Sequence, residues 1–103
     1  MTREAGEKAL AECRERINAL DRQLVDLLNA RTRIVEEIGR IKGECGMRIY
    51  EPKREDEVLA NVEGHNAGPM AHDAARRIFE RIIDEMRTLQ RLRMESSRDG
   101  DKS

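Results

Sequence analysis

The side chains in this chain that could do chemistry are cations, carboxylates and one amide, and they stand where apolar residues are expected. Across residues 7–42, apolar side chains recur at Leu10, Cys13, Ile17, Leu20, Leu24, Leu27, Ile34, Ile38 and Ile41. The steps of three and four mark one long amphipathic helix. Arg31 and Lys42 fall on or beside that stripe, and Arg14 borders it just past Cys13. An unpaired buried cation costs several kcal/mol. In a second segment Glu51, Arg54 and Glu55 share the face of Val58 and Val62 by i, i+4 spacing. In a third, Gln90 follows Met86 by one helical turn, where another apolar residue is expected. Taken singly, each is a flank residue whose stem covers apolar surface while its head reaches water. As a set they point elsewhere, because all three segments carry the anomaly. Arg14, Arg31, Lys42 and Arg54 against Glu51 and Glu55 leave an excess of two positive charges, which suits a small dianion held in a helical-bundle pocket.

Three helices must position these groups. The first is expected to stop at the Gly43/Gly46 pair, since glycine just past the last periodic residue is the favoured helix stop. A loop over 43–50 follows. Pro52 suits the first turn of a second helix, with Glu51 and Glu55 near its positive end, running to about Glu63 with Val58, Leu59 and Val62 as its apolar face. The breaker cluster "GHNAGP" separates it from a third helix over residues 71–94, whose inward face is Ala75, Ile78, Phe79, Ile82, Ile83, Met86 and Leu89. The polar run "ESSRDGDKS", residues 95–103, is expected to be a disordered tail.

Composition agrees with one small all-α domain over residues 1–94. The chain has 103 residues, 38% hydrophobic and 40% charged, with no Trp, one Tyr (Tyr50) and one Phe (Phe79), and it lacks the β-branched runs with period-two alternation that strands need. Its 20 basic and 21 acidic residues are interspersed, which argues against a nucleic-acid partner. No apolar leader or run of about 18 apolar residues is present, so no membrane partner is expected and the cytoplasm is the default compartment. Cys13 and Cys45 have no metal-ligand or redox spacing and are read as reduced thiols, with no metal site. His65 and His72 are read as exposed or capping residues. Arg87, Arg91 and Arg93 are read as a solvated face whose charge favours a helix C-terminus.

The first helix also implies an assembly. About 35 residues at 1.5 Å each span about 50 Å, against a radius of gyration near 13 Å for a compact chain of about this size. Its apolar stripe needs a partner, and an antiparallel, intertwined homodimer is the simplest closed solution.

The segments "CRERINALDRQLVDLLNARTRIVEEIGRIK", "RIYEPKRE" and "RIFERIIDEMRTLQ" closely resemble the all-α chorismate mutases (the AroQ class). The resemblance covers about Leu10 to Leu92, and the spacing of Arg14, Arg31, Lys42, Glu51, Arg54, Glu55 and Gln90 is specific. It implies an intertwined three-helix homodimer with two equivalent active sites, each borrowing an arginine from the other chain. It also implies conversion of chorismate to prephenate by a Claisen rearrangement, in the biosynthesis of phenylalanine and tyrosine. That unimolecular step needs no nucleophile, metal or cofactor. Arg31 and the Arg14 of the other chain would hold substrate carboxylates. Lys42 would contact a carboxylate and the ether oxygen, and Gln90 would donate to that oxygen. Glu55, with Glu51 nearby, would take the ring hydroxyl, and Arg54 would brace the ring carboxylate. Two positions depart from the family pattern. Glu51 stands where the best-known members have the shorter Asp. Met86 stands where some have a hydroxyl that can reach the ring carboxylate, and a thioether cannot donate such a bond.

Two other readings fit part of the pattern. An isochorismate pyruvate lyase on the same scaffold resembles it in Arg14, Arg31, Lys42 and Gln90, but tends to be apolar where this chain has Glu55. A non-catalytic helical dimer, acting as a scaffold or regulator, would need none of these polar groups. Family members also occur fused to or associated with other enzymes of the aromatic pathway.

Overall fold

The computed structural model describes the backbone of residues 1–101 and the side chains of residues 1–96. Three helices make up the fold, α1 (Arg3–Cys45), α2 (Pro52–His65) and α3 (His72–Asp101), and the described residues contain no strand. The chain divides into two compact units, Met1–Ile34 and Val35–Ser103. The all-α architecture expected from the periodicity is the one observed.

In the first unit α1 begins earlier than its apolar stripe. The Thr2 hydroxyl accepts the Ala5 N–H at 3.1 Å, capping an otherwise orphaned donor, and Glu4 lies in the positive first turn. None of the α1 side chains is buried. Leu10, Ile17, Leu20, Leu24 and Ile34 are exposed, and Leu27 is 67% exposed.

The second unit opens with the end of α1, where a specific backbone motif does the stopping. Gly43 stays inside the helix, while Gly46 adopts φ +67, a left-handed conformation that favours glycine. The Met47 N–H then reaches Lys42 O at 2.8 Å and the Gly46 N–H reaches Gly43 O at 3.4 Å. This is the paired bonding of a Schellman motif. At the start of α2, Glu51 is the N-cap residue but its side chain makes no capping bond. Pro52 follows in the first turn, where its missing N–H costs nothing, and the Glu55 N–H closes onto Glu51 O at 3.1 Å.

Packing of α2 on α3 forms the core of this unit. Leu59 and Ala75 are buried, and Val58, Val62, Phe79, Ile82, Ile83, Met86 and Leu89 are half-buried around them. Ile78, expected to face inward, is 48% exposed, because it lies at the edge of the α3 apolar arc. Arg76 fastens the two helices, donating to Glu63 on α2 at 2.9 Å and to Glu80 on α3 at 3.1 Å. The bond to Glu63 is the main cause that raises the Arg76 guanidinium above its ordinary pKa. In the connecting loop, Asn66 accepts the Gly68 N–H at 3.1 Å and donates to Met70 O at 2.8 Å. His65 and His72 are both exposed, with His72 Nδ1 lying 3.2 Å from the Asn66 amide.

Besides the early start of α1, the ends of the other two helices differ from expectation. α2 runs to His65 rather than Glu63. α3 runs to Asp101, past the expected end at Met94 and through most of the residues assigned to the tail. No proline interrupts that stretch, and Gly100 costs a helix only about 1 kcal/mol. Lys102 and Ser103, the last residues of the expected tail, lie outside the described residues. Cys13 and Cys45 are free and exposed. No described helix is long and apolar enough to cross a membrane.

Two stability outcomes follow from this packing. Leu59→Ala removes the buried aliphatic side chain between α2 and α3 and is expected to cost about 3 kcal/mol in urea unfolding followed by far-UV circular dichroism. A Cβ added at Gly39 of α1 would meet the Gln90 side chain at 3.6 and 3.8 Å, which is ordinary contact. Gly39→Ala should therefore raise stability by about 0.5–1 kcal/mol, whereas the larger Gly39→Leu should lose that gain in the same measurement.

Candidate active site

Five of the polar groups expected to form the site, Lys42, Glu51, Arg54, Glu55 and Gln90, lie in the second unit, where each has a protein partner. The Schellman turn after Lys42 brings the following loop back toward it. Lys42 Nζ donates to Ile49 O at 3.3 Å and pairs with the Glu51 carboxylate, leaving the lysine side chain 13% exposed. This explains the uncapped start of α2: the Glu51 side chain turns to a cation instead of to its own helix. Glu carries one more methylene than the Asp usually favoured at an N-cap, and that added reach suits the cation better than the cap.

Gln90 stands on α3, facing the C-terminal half of α1. Its Nε2 donates to Val35 O at 3.1 Å, beside Gly39. Three residues on, Arg93 reaches Glu36 of α1 at 3.1 Å while its side chain stays 65% exposed, as expected of a solvated face. Met86 is half-buried one turn before Gln90.

Glu55 is 21% exposed on α2 and pairs with Arg87 of α3. Arg87 also lies 3.7 Å from Asp84 and its guanidinium stands 4.9 Å from the centre of the Tyr50 ring. The expectation that Arg87 is solvated is thereby corrected. The periodicity gave no such signal: around α3, Arg87 falls between Arg76 and Glu80, outside the apolar arc that ends at Ile83. A cavity of about 210 Å³ opens here, lined among others by Tyr50, Glu55, Leu59, Ile83 and Arg87. Lys42 and Gln90 are not among its lining residues.

Arg54 does not join these groups in the single chain. Its head turns to Glu57 at 3.3 Å, with 59% of its side chain exposed. Arg14 and Arg31 belong to the first unit, where Arg14 is exposed and Arg31 half-buried on α1.

The arrangement has a definite chemical capacity. An ammonium has three donors and an amide nitrogen two. Lys42 spends two on Ile49 and Glu51, and Gln90 spends one on Val35. Each keeps one N–H beyond these contacts while the others fix its direction. Glu55 meets Arg87 through Oε1, which leaves Oε2 to accept. A cation, a neutral donor and a carboxylate acceptor are thus each oriented by protein contacts, and groups fixed in this way can stabilise developing charge without reorganising.

Residues 13–91 match the family described as chorismate mutase type II. The chain is similar to the bifunctional chorismate mutase/prephenate dehydratase of Neisseria gonorrhoeae, with 31% identity over 78 residues that are 76% of this chain and 21% of that protein. It thus spans about a fifth of the length of such bifunctional relatives. It is also similar to the chorismate mutase of Methanocaldococcus jannaschii, with 26% identity over 97 residues, 90% of this chain and 95% of that one. The structure of chorismate mutase (form II) from Thermus thermophilus matches with a TM-score of 0.79 and 34% identity, covering 81% of this chain and 94% of that chain. With the matched segment containing every residue of the constellation from Arg14 to Gln90, the chain belongs to the chorismate mutase type II family.

Proposed function

We propose that this protein converts chorismate to prephenate, and that it does so as a homodimer with shared sites. The observation that carries the reading is the held but incompletely used pair of donors, Lys42 and Gln90. The rearrangement breaks a C–O bond and forms a C–C bond within one molecule. A protein can accelerate it by holding the flexible enolpyruvyl arm over the ring in the reactive conformer and by stabilising negative charge that grows on the ether oxygen.

The remaining Lys42 N–H serves the ether oxygen and the adjacent carboxylate, and the remaining Gln90 N–H serves the same oxygen without needing to titrate. Glu55 accepts the ring hydroxyl through Oε2, with Glu51 holding Lys42 beside it. Arg31 takes a substrate carboxylate, where a planar guanidinium constrains the arm better than a point charge could. Arg54 turns from Glu57 to brace the ring end, and Met86 contributes an apolar wall. The acidic Glu55 favours this reaction over pyruvate elimination from isochorismate.

The dimer is supported by the exposed stripe of α1. Leu10, Ile17, Leu20, Leu24, Leu27 and Ile34 form an apolar row of a kind that soluble chains cover with a partner. An antiparallel second copy would cover it and would supply its Arg14 to the site.

Two measurements test this. With purified protein, loss of chorismate and appearance of prephenate are followed, with isochorismate offered in parallel. Lys42→Ala and Gln90→Ala should each lower kcat/KM by about 10²–10³-fold, the usual loss when one donor to a developing oxyanion is removed. Unchanged turnover in either would sink the assignment. Sharing of sites is tested by co-expressing Arg14→Ala chains with Arg31→Ala chains. A mixed dimer keeps one intact site, so random pairing should restore about a quarter of wild-type activity. Sites built within single chains would restore none.

A further inference from the structure

Arg87 stands outside the set of residues to which the proposed reaction assigns a task, yet it has partners on three elements of the second unit. It pairs with Glu55 of α2, lies 3.7 Å from Asp84 on its own helix, and stacks 4.9 Å from the ring of Tyr50 in the preceding loop. A guanidinium held by a carboxylate and an aromatic face at once has few alternative orientations. Its contact with Glu55 is with Oε1.

The surroundings of Glu55 show what this contact is needed for. Asp56, Glu80 and Asp84 line the same cavity, and Arg87 is the cation among its lining residues. Without Arg87, Glu55 would be one of four carboxylates lining this cavity, and in the proposed reaction Glu55 faces a dianion. Asp56, Glu80 and Asp84 are exposed and screened by water, so the compensating cation matters most for the half-buried Glu55.

We propose that Arg87 is a positioning residue for the reaction: it orients Glu55 through Oε1 and offsets its charge, so that the dianionic substrate meets a compensated carboxylate with Oε2 free for the ring hydroxyl. The inference rests on the reading of Glu55 as a substrate contact. Arg87 acts through Glu55, so it governs substrate binding more than the rate of the bound substrate.

The test compares Arg87→Gln, Arg87→Lys, Glu55→Gln and the double variant Arg87→Gln/Glu55→Gln in chorismate turnover, with thermal unfolding of each to confirm the fold. Arg87→Gln should raise KM about tenfold while kcat changes less than about threefold. The KM penalty should shrink at about 0.5 M salt, which screens charge but does not repair packing. Arg87→Lys should recover most of the wild-type KM. The double variant should bind chorismate about as well as Glu55→Gln alone, since there is no longer a charge to offset. A wild-type KM in Arg87→Gln overturns the proposal, as does a double variant whose KM penalty is the product of the two single penalties. Should Arg87→Gln fail to fold, an Arg87→Lys variant that binds as weakly as Glu55→Gln at all salt concentrations overturns it too. Wild-type kinetics in Glu55→Gln would instead remove Glu55 from the substrate, and a wild-type protein inert toward chorismate would remove the reaction itself; either result takes this role of Arg87 with it.

Discussion

The pairing of Lys42 with the turn that follows it is the interaction on which the rest of the second unit depends. A cation near the end of α1 cannot lie among apolar neighbours unless something answers its charge, and here the chain supplies the answer to itself. Gly46 takes the left-handed conformation that lets the backbone double back, the Schellman bonds fix the reversal, and Ile49 O and Glu51 arrive within reach of Nζ. The same reversal sets where α2 can begin. Glu51 ends α2 at its N-terminal side by backbone geometry and by Pro52 rather than by a side-chain cap, so its carboxylate stays available for the lysine. Helix stop, loop course, helix start and charge compensation are one event in the chain.

That event also decides what the site can do. Lys42, Gln90 and Glu55 each satisfy part of their hydrogen-bonding capacity inside the protein and keep part of it open. The protein contacts set direction, and the open capacity is what the proposed reaction would use. For a reaction whose demand is charge stabilisation at one oxygen and restraint of one flexible arm, fixed donors are worth more than strong ones, because water-like donors would have to reorganise as charge moves. Arg87 extends the same logic to the acidic side, where an uncompensated carboxylate would work against a dianion.

Most of this was legible in the sequence because a helix advertises its packing face. Period 3.6 placed the three helices, and polar residues standing in that period gave Lys42, Glu55 and Gln90. What was not legible had physical causes of two kinds. Helix ends depend on caps and breakers rather than on periodicity: Thr2 starts α1 ahead of its apolar stripe, and no proline stops α3 at Met94. Side-chain direction depends on rotamers and neighbours. Arg54 shares an arc with Val58 by spacing, but its head turns along the helix to Glu57. Gln90 falls inside the α3 apolar arc, whereas Arg87 falls outside it between Arg76 and Glu80, and Arg91 and Arg93 nearby offered a ready electrostatic explanation for a basic helix end. The partners of Arg87 on α2 and in the loop before it come from tertiary packing, which the periodicity of α3 does not report.

The distribution of apolar surface links this site to the proposed assembly. Among the described residues, Leu59 and Ala75 are the buried apolar ones, a small core for a chain with one Phe, one Tyr and no Trp. Small single cores supply little net stability, and the exposed stripe from Leu10 to Ile34 is apolar surface not yet put to use. A second copy laid along that stripe would contribute the missing burial, and the position of Arg14 beside Cys13 means that the same contact would deliver a guanidinium. Stability and catalysis would then draw on a single interface, so the stripe could not drift in sequence without disturbing the pocket. In such a dimer the helix would keep its apolar period for the interface, with Arg14 beside the stripe and Arg31 and Lys42 set into it for the substrate.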